Sequence, residues 1–479
     1  MGRLSCRWLW DGRSPQLLEG ATLHIDGGRV VGVEPGEGRF FVMPAFVDAH
    51  CHLTQMARFA GALDLSGAES AEEVLAAVAE AARKGTGIVR GERFDESGWD
   101  DPRLPTPGEL DAAGGGRPVF LRRVCCHMAL LSTAMMDLYG PNATGIDRAR
   151  GVAAEAPVLE YDRRFPPSDG EMASSLKNAE AHAYACGVTG LCSMERLDDA
   201  RRLRRAGLDL DISAAVLAED LDEVSEEDTL LGVKCFLDGS VGAGTAAMGH
   251  AYVRGGADDS LLYGDGELKE LLARAWRKGL PPVLHAIGER AVAQAARCSS
   301  AAFRLVPADD AAPRWARIEH AEELAGVVEL LDPGLHRICG QPNFVVNWQS
   351  PEGLYGRRLG WGAARGMNPF ATVTDAGLAL GFGSDGMPFG PLAGLPGAVR
   401  HPCPEQRLGV GAALRAYTTS AAEISGFFGL AEAVAPGRQA DLVALSGNPF
   451  HTGGFEGIEV VATLRRGRQV AGSERGLWA

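Results

Sequence analysis

The chain has 479 residues, 46% of them hydrophobic, enough for one large barrel with an accessory module or for two domains. Its 62 acidic and 47 basic residues give a formal charge of −15, which argues against a nucleic-acid surface as its main business. No apolar run reaches the roughly eighteen residues of a membrane span, residues 1–15 lack a signal-peptide core, and the ten cysteines follow no disulfide or C-x-x-C spacing; the expectation is a reduced, cytoplasmic protein with no membrane partner.

From the amino terminus, Leu23 to Asp26 and Arg29 to Val33 read as short strands joined by a tight turn at Asp26-Gly27-Gly28. Pro44 to Leu53 reads as an apolar strand ending in His50-Cys51-His52. Side chains alternate faces along a strand, so His50 and His52 point the same way. Residues 56–187 hold more chain than one crossover needs and predict an inserted, ordered α+β lid. Within it, Ser70 and Glu73 form a capping box for a helix running to Gly85, and the turn at residues 114–118 precedes the strand Val119-Phe120-Leu121.

Eight apolar runs alternate with helical stretches: Phe46 to His50, Val188 to Met194, Leu210 to Leu217, Gly232 to Asp238, Pro282 to Ile287, Ala316 to His320, His336 to Gln341 and Leu378 to Ser384. This pattern predicts an α/β protein, a (β/α)8 TIM barrel over residues 44–424. The basic run Arg201-Arg202-Leu203-Arg204-Arg205 reads as a solvated helix face. Near the carboxyl end, Ala440 to Ser446, Glu459 to Arg465 and Gln469 to Ala471 read as strands, the last two turning near Arg466-Gly467. Two small β pieces at opposite ends cannot each bury a core, so residues 1–43 and 425–479 are expected to form one composite β-sandwich.

The chemistry gathers at the strand ends. His50 and His52 end strand one, Lys234 lies in strand four, His285 and His320 end strands five and six, and Asp385 follows strand eight. That is the end of a barrel expected to carry function. A lysine inside an apolar strand is costly as an ammonium, and burial favours a neutral amine able to take up CO2. The resulting carbamate could bridge two divalent cations about 3.5–4 Å apart. The expected arrangement places one metal on His50, His52 and Asp385, a second on His285 and His320, and carbamylated Lys234 between them; a plain lysine with one metal is the alternative. A metal-bound hydroxide would then be the nucleophile, with Asp385 moving its proton to the leaving amine.

The motifs at Pro44 to Leu53, Val233 to Ala246, His285 to Val292, Arg317 to Ala321, Gly383-Ser384-Asp385 and Gly437 to Leu442 together resemble the amidohydrolase superfamily, and more narrowly its amidohydrolase-3 branch. The resemblance spans nearly the whole chain. It implies a metal-dependent hydrolase with zinc or a similar ion, acting on a non-peptide carbon–nitrogen bond of a small molecule such as an N-acyl or N-formyl amine. Barrels of this class commonly pair, which implies a homodimer. The resemblance also marks His127 as a substrate contact, with Asp238 and Glu289 as further candidates near the pocket mouth. Glu289 stands where the family usually has Asp, Gln341-Pro342-Asn343 replaces a Gln-Pro-Thr-His ending, and Thr54-Gln55-Met56 departs from a glycine-containing continuation. Two other readings compete: a mononuclear deaminase in which Glu289 or Glu319 shuttles protons, and a non-enzymatic scaffold, which would be expected to lack the ligand set.

Overall fold

The computed structural model describes residues 2–124, 128–253, 261–306, 314–324 and 326–473. The chain divides into two compact units, one of residues 1–53 with 180–479 and one of residues 54–179.

The first unit contains two sheets. Eight parallel strands, Phe46–Cys51, Val188–Glu195, Asp211–Leu217, Gly232–Phe236, Pro282–Ala286, Ala316–His320, His336–Gly340 and Ala379–Phe382, lie side by side in chain order. These are the eight runs expected from the sequence, and they form a nearly closed, TIM-like barrel sheet. Strand one is buried at every position, as a strand covered on both faces should be. The fourth strand stops at Phe236, short of Asp238, because the Asp238 carboxylate turns the chain away by accepting from the backbone N–H groups of Ala247, Ile287 and Gly288.

Strands one and eight meet through a side chain. The buried Asp48 carboxylate accepts from Ser384 N (3.0 Å), Ser384 Oγ (2.6 Å) and His50 N (3.1 Å), while Asp385 N donates to the His50 carbonyl at 2.7 Å. Gly383 permits this approach, since a Cβ there would lie 2.3 Å from His50 N.

The second sheet joins both ends of the chain. Its seven strands run in the order Arg468–Gly472, Val460–Arg465, Leu442–Leu445, Phe41–Pro44, Gly2–Leu9, Leu18–Asp26 and Arg29–Pro35. Gly2–Leu9 and Phe41–Pro44 were not among the expected strands. Both hairpin turns fall where the sequence placed them: Asp26 pairs with Arg29 across Gly27-Gly28, and Arg465 with Arg468 across Arg466-Gly467. All four turn residues have positive φ, as a tight hairpin with matching twist requires. Leu4, Leu23, Ile25, Val30, Leu442 and Leu464 share one core on this sheet, and Val30 N donates to the Arg438 carbonyl.

Arg465 connects this sheet to the parallel one. Its buried guanidinium donates to Asp441 (2.7 Å), to Asp211 on the third barrel strand (2.6 Å) and to the Asp209 carbonyl (2.8 Å). That gives Asp441, within the Gly437 to Leu442 motif, a structural purpose.

The second unit is an ordered α+β body. Its sheet runs in the order Ile146–Asp147, Val152–Ala154, Met128–Leu131, Val119–Arg123, Val89–Phe94 and Leu63–Asp64, with the helix Ala71–Lys84 contributing Val74 and Val78 to its core. Ser70 caps that helix by accepting from Glu73 N. The reciprocal half of the capping box is absent, because the Glu73 carboxylate accepts from Glu69 N instead. In the first unit, the basic run lies on the helix Leu197–Arg205, where Arg201 pairs with Asp228 and Arg202 with Asp199. Among the described residues no helix is long and apolar enough to cross a membrane.

Replacing Arg465 by Met strands the Asp441 carboxylate in a buried position. The change should cost about 3–5 kcal/mol, and adding Asp441→Asn should recover part of the loss. Thermal and urea unfolding of the two variants measure this, and an unchanged midpoint for the single variant contradicts it.

Candidate metal centre

The side chains expected to form the site converge at the carboxyl ends of the barrel strands. His50 Nε2 lies 3.4 Å and His52 Nε2 3.1 Å from the same oxygen of Asp385. The His50 and His320 rings have centroids 5.1 Å apart, and those of His285 and His320 lie 4.4 Å apart. Donor atoms of His50, His320 and Asp385 all fall within 4.8 Å of one another.

Three of the four imidazoles, those of His50, His52 and His285, have a partner that decides which nitrogen is free. His50 Nδ1 is 2.5 Å from a Glu319 oxygen, an acceptor, so it carries the hydrogen and Nε2 presents its lone pair inward. His52 Nδ1 donates to the Met194 carbonyl at 3.2 Å with the same result. His285 reverses the pattern, with Nε2 donating to the Gly239 carbonyl at 3.0 Å and Nδ1 left free. Two imidazole Nε2 atoms and a carboxylate oxygen therefore meet at one place, a contact that a bound cation or a shared proton satisfies.

Behind His50 stands a fully buried ion pair. Arg317 Nε donates to Glu319 at 2.5 Å, and its other nitrogens bond the Ile424 carbonyl and the Cys192 sulfur. Burial pushes the Glu319 carboxyl up, but Arg317 and His50 more than reverse this and hold it ionised well below the usual carboxylate range. Sequence reasoning had assigned Glu319 only as a proton shuttle. A carboxylate on the outer nitrogen of a ligating histidine fixes the ring and raises its basicity. His50, Glu319 and Cys339 also lie close enough to suggest a second cation site. Arg317 already supplies the positive charge there, so that cluster is better explained as support for His50.

Burial and the charge of Lys234 press the His50 imidazolium down, yet Glu319 and Asp385 overcome both and raise its pKa. Burial, then the neighbouring rings of His285 and His50, push His320 well below the ordinary imidazole value, and burial with Lys234 takes His285 down to about 3. Both rings are thus neutral, the form that ligates. Burial raises the Asp385 carboxyl, but the adjoining His50 and His52 bring it well below its usual range. His320 and Asp385 have φ values of +72° and +53°, uncommon for non-glycine residues and frequent at functional sites.

Lys234 is 1% exposed and its Nζ has no hydrogen-bond partner among the described residues. Burial lowers its pKa against the pull of Glu319 and Asp385. An ammonium left unpaired at this depth is expensive, so the position suits a neutral or modified amine.

His127 lies outside the described residues. Asp238 spends its carboxylate on the three backbone N–H groups that shape the loop after strand four, and Glu289 accepts from Gly326 N at 3.2 Å. Neither lines the cavity that contains His285, His320 and Asp385, which has a volume of about 290 Å³. Asn343, one of the departures noted above, donates to the carbonyls of Ser384 (2.8 Å) and Met387 (2.6 Å) and so clamps the loop bearing Asp385. Burial pushes the Glu322 carboxyl in the same cavity up to about 8, opposed by the Tyr355 hydroxyl, which lies near it outside hydrogen-bond geometry.

Converting Glu319 to Gln should weaken binding of a divalent cation by about 10–100-fold, because His50 loses its charged acceptor and Arg317 its counter-ion. Competition against a chromophoric chelator reads this directly, and wild-type affinity in the variant contradicts it.

The sequence matches the model of the Amidohydrolase family over residues 37–471. It is 26% identical over 461 residues to the Bacillus subtilis protein YtcJ, covering 85% of this chain and 84% of that one. It is 25% identical over 496 residues to the N-substituted formamide deformylase of Arthrobacter pascens, covering 88% and 86%. The crystal structure of an uncharacterized metal-dependent hydrolase from Pyrococcus furiosus superimposes with a TM-score of 0.78 at 26% identity, covering 92% of this chain and 98% of that one. With its barrel, its converging ligand set and a family match over most of its length, the chain belongs to the Amidohydrolase family.

Proposed function

We propose that the protein hydrolyses a carbon–nitrogen bond other than a peptide bond, in a small N-acyl or N-formyl amine, with two divalent cations held at the strand ends. The observation that carries this reading is the meeting of His50 Nε2, His52 Nε2 and one Asp385 oxygen, an arrangement suited to a cation between them. A nitrogen and oxygen donor set of this kind suits zinc. His50, His52 and Asp385 would hold one ion and His285 and His320 the other. Lys234 would join them as a carbamate: its neutral amine adds to the carbon of CO2 and loses one proton, leaving one negative charge shared by two oxygens where the buried Nζ now has no hydrogen-bond partner among the described residues. Bound there, the cations would lower the pKa of water and polarise the scissile carbonyl.

The chain's own groups complete the reaction. Asp385 takes a proton from water and returns it to the departing amine, using the oxygen not committed to ligation. Glu319 and Arg317 keep His50 in the ligating tautomer. The deformylase among the relatives favours an amide of formic acid or a similar small acyl group. The deaminase reading finds less support, since both oxygens of Glu319 are already occupied by His50 and Arg317. Of the other expectations, the eight described cysteines are free, which accords with a cytoplasmic protein. The sheet uniting both termini, with one shared core, supports a composite β-sandwich.

Asp385→Asn should lower kcat on N-formyl amines by about 10²- to 10⁴-fold even when metal is supplied in excess. Near-normal turnover in the metal-replete variant contradicts the proton role. Lys234→Ala should reduce bound metal, and acetate or propionate should restore part of both metal content and activity. Full metal loading without such rescue rejects the carbamate bridge.

A further inference from the structure

Almost every buried carboxylate around the barrel has an evident partner. Asp48 accepts from Ser384 and His50, Asp238 from three backbone N–H groups, and Glu319 from Arg317 and His50. Glu322 is the exception. It is 1% exposed, and among the described residues neither of its oxygens has a hydrogen-bond partner. Leaving a carboxyl buried and unsatisfied is costly, so its retention calls for an explanation.

Glu322 lines the same cavity as His320 and Asp385. Among the described residues no Lys or Arg lines that cavity. Much of the remaining wall is apolar, with three aromatic rings in it. Phe344 and Trp348 have ring centroids 4.4 Å apart, and Trp348 and Tyr355 6.0 Å apart, which makes a run of π faces beside the carboxyl. A buried carboxyl next to aromatic rings suits a cation on an apolar body, whose charge supports the carboxylate that burial alone disfavours and meets it through a charge-assisted hydrogen bond and the ring quadrupoles together. The same cavity disfavours an anionic substituent, which would meet Glu322 and Asp385.

We infer that Glu322 is the specificity residue of this site, selecting amides that carry a second, positively charged nitrogen on an apolar spacer, with the ammonium seated between the Glu322 carboxylate and the aromatic wall. This deepens the proposed hydrolase reading and rests on it for the identity of the scissile bond. It goes beyond that reading in naming the chemistry at the far end of the substrate.

The test is binding, measured by calorimetry at neutral pH on the full-length, metal-replete protein with two probes of equal shape, phenethylammonium and 2-phenylethanol. The wild type should bind the ammonium tighter than the alcohol by on the order of tenfold or more. Glu322→Gln should bring that ratio close to one, and Glu322→Asp should keep most of it. Equal binding of the two probes by the wild type, binding of neither, or an undiminished ratio in Glu322→Gln overturns the inference. The last outcome would place the ammonium elsewhere. The wild-type ratio and the Asp variant decide the matter if the Gln variant fails to fold. Turnover enters none of these results, so a protein that hydrolyses no amide can still satisfy them. Conversely, one that hydrolyses neutral and cationic amides alike retains the hydrolase reading and loses this one.

Discussion

Three acceptors aimed at one point organise this molecule. The Nε2 atoms of His50 and His52 lie 3.4 and 3.1 Å from one oxygen of Asp385, and neutral imidazoles presenting lone pairs would repel the carboxylate at that range. The cation proposed above relieves that repulsion. The surrounding structure removes the alternatives: Glu319 takes the outer nitrogen of His50, Met194 that of His52 and Gly239 that of His285, so none of these rings can turn its free nitrogen away. The cost is visible in the backbone, where His320 and Asp385 both take left-handed φ values.

Holding these groups within hydrogen-bonding distance requires the first and last barrel strands to meet, and that seam is made by Asp48 instead of a backbone ladder. Its carboxylate grips the Ser384 hydroxyl and amide while Gly383 lets the last strand press onto His50. Asn343 steadies the far side of the same loop through the carbonyls of Ser384 and Met387. Burial raises the Asp48 carboxyl to about 6, against the hydrogen bonds from Ser384 and His50 that lower it. The seam therefore exchanges some electrostatic cost for position, as a buried polar network does when every member is bonded. At the opposite margin of the unit, Arg465 ties the sheet of both termini to the third barrel strand.

The candidate ligands were legible because the histidines and Asp385 sit at the ends of apolar runs and Lys234 inside one, where period-two alternation and the barrel's polarity fix their direction. His50, His52, Lys234, His285, His320 and Asp385 all lie where that logic puts them. What stayed hidden depends on knowing which strands are neighbours. Glu319 and Arg317 alternate with the apolar residues of strand six like any polar pair, and only the folded sheet sets Glu319 against His50, 269 residues away. Asp48 has the same character, being 336 residues from Ser384. Gly2–Leu9 lacks a clear period-two pattern because three of its four buried positions, Leu4, Ser5 and Cys6, are consecutive, and Phe41–Pro44 is only four residues long and lies one residue from the next strand. In sequence Glu322 is one of two adjacent acids, with Glu323, after strand six. Its significance comes from the aromatic cavity around it, assembled from segments distant in the chain.

The central claim is that a cation completes the meeting of His50, His52 and Asp385. Anomalous diffraction at the zinc edge, from crystals of the protein grown with zinc, tests it most directly. The account predicts a strong peak bounded by the Nε2 atoms of His50 and His52 and by Asp385. A crystal with no peak there, in which Asp385 instead accepts hydrogen bonds from protonated imidazoles, would contradict it.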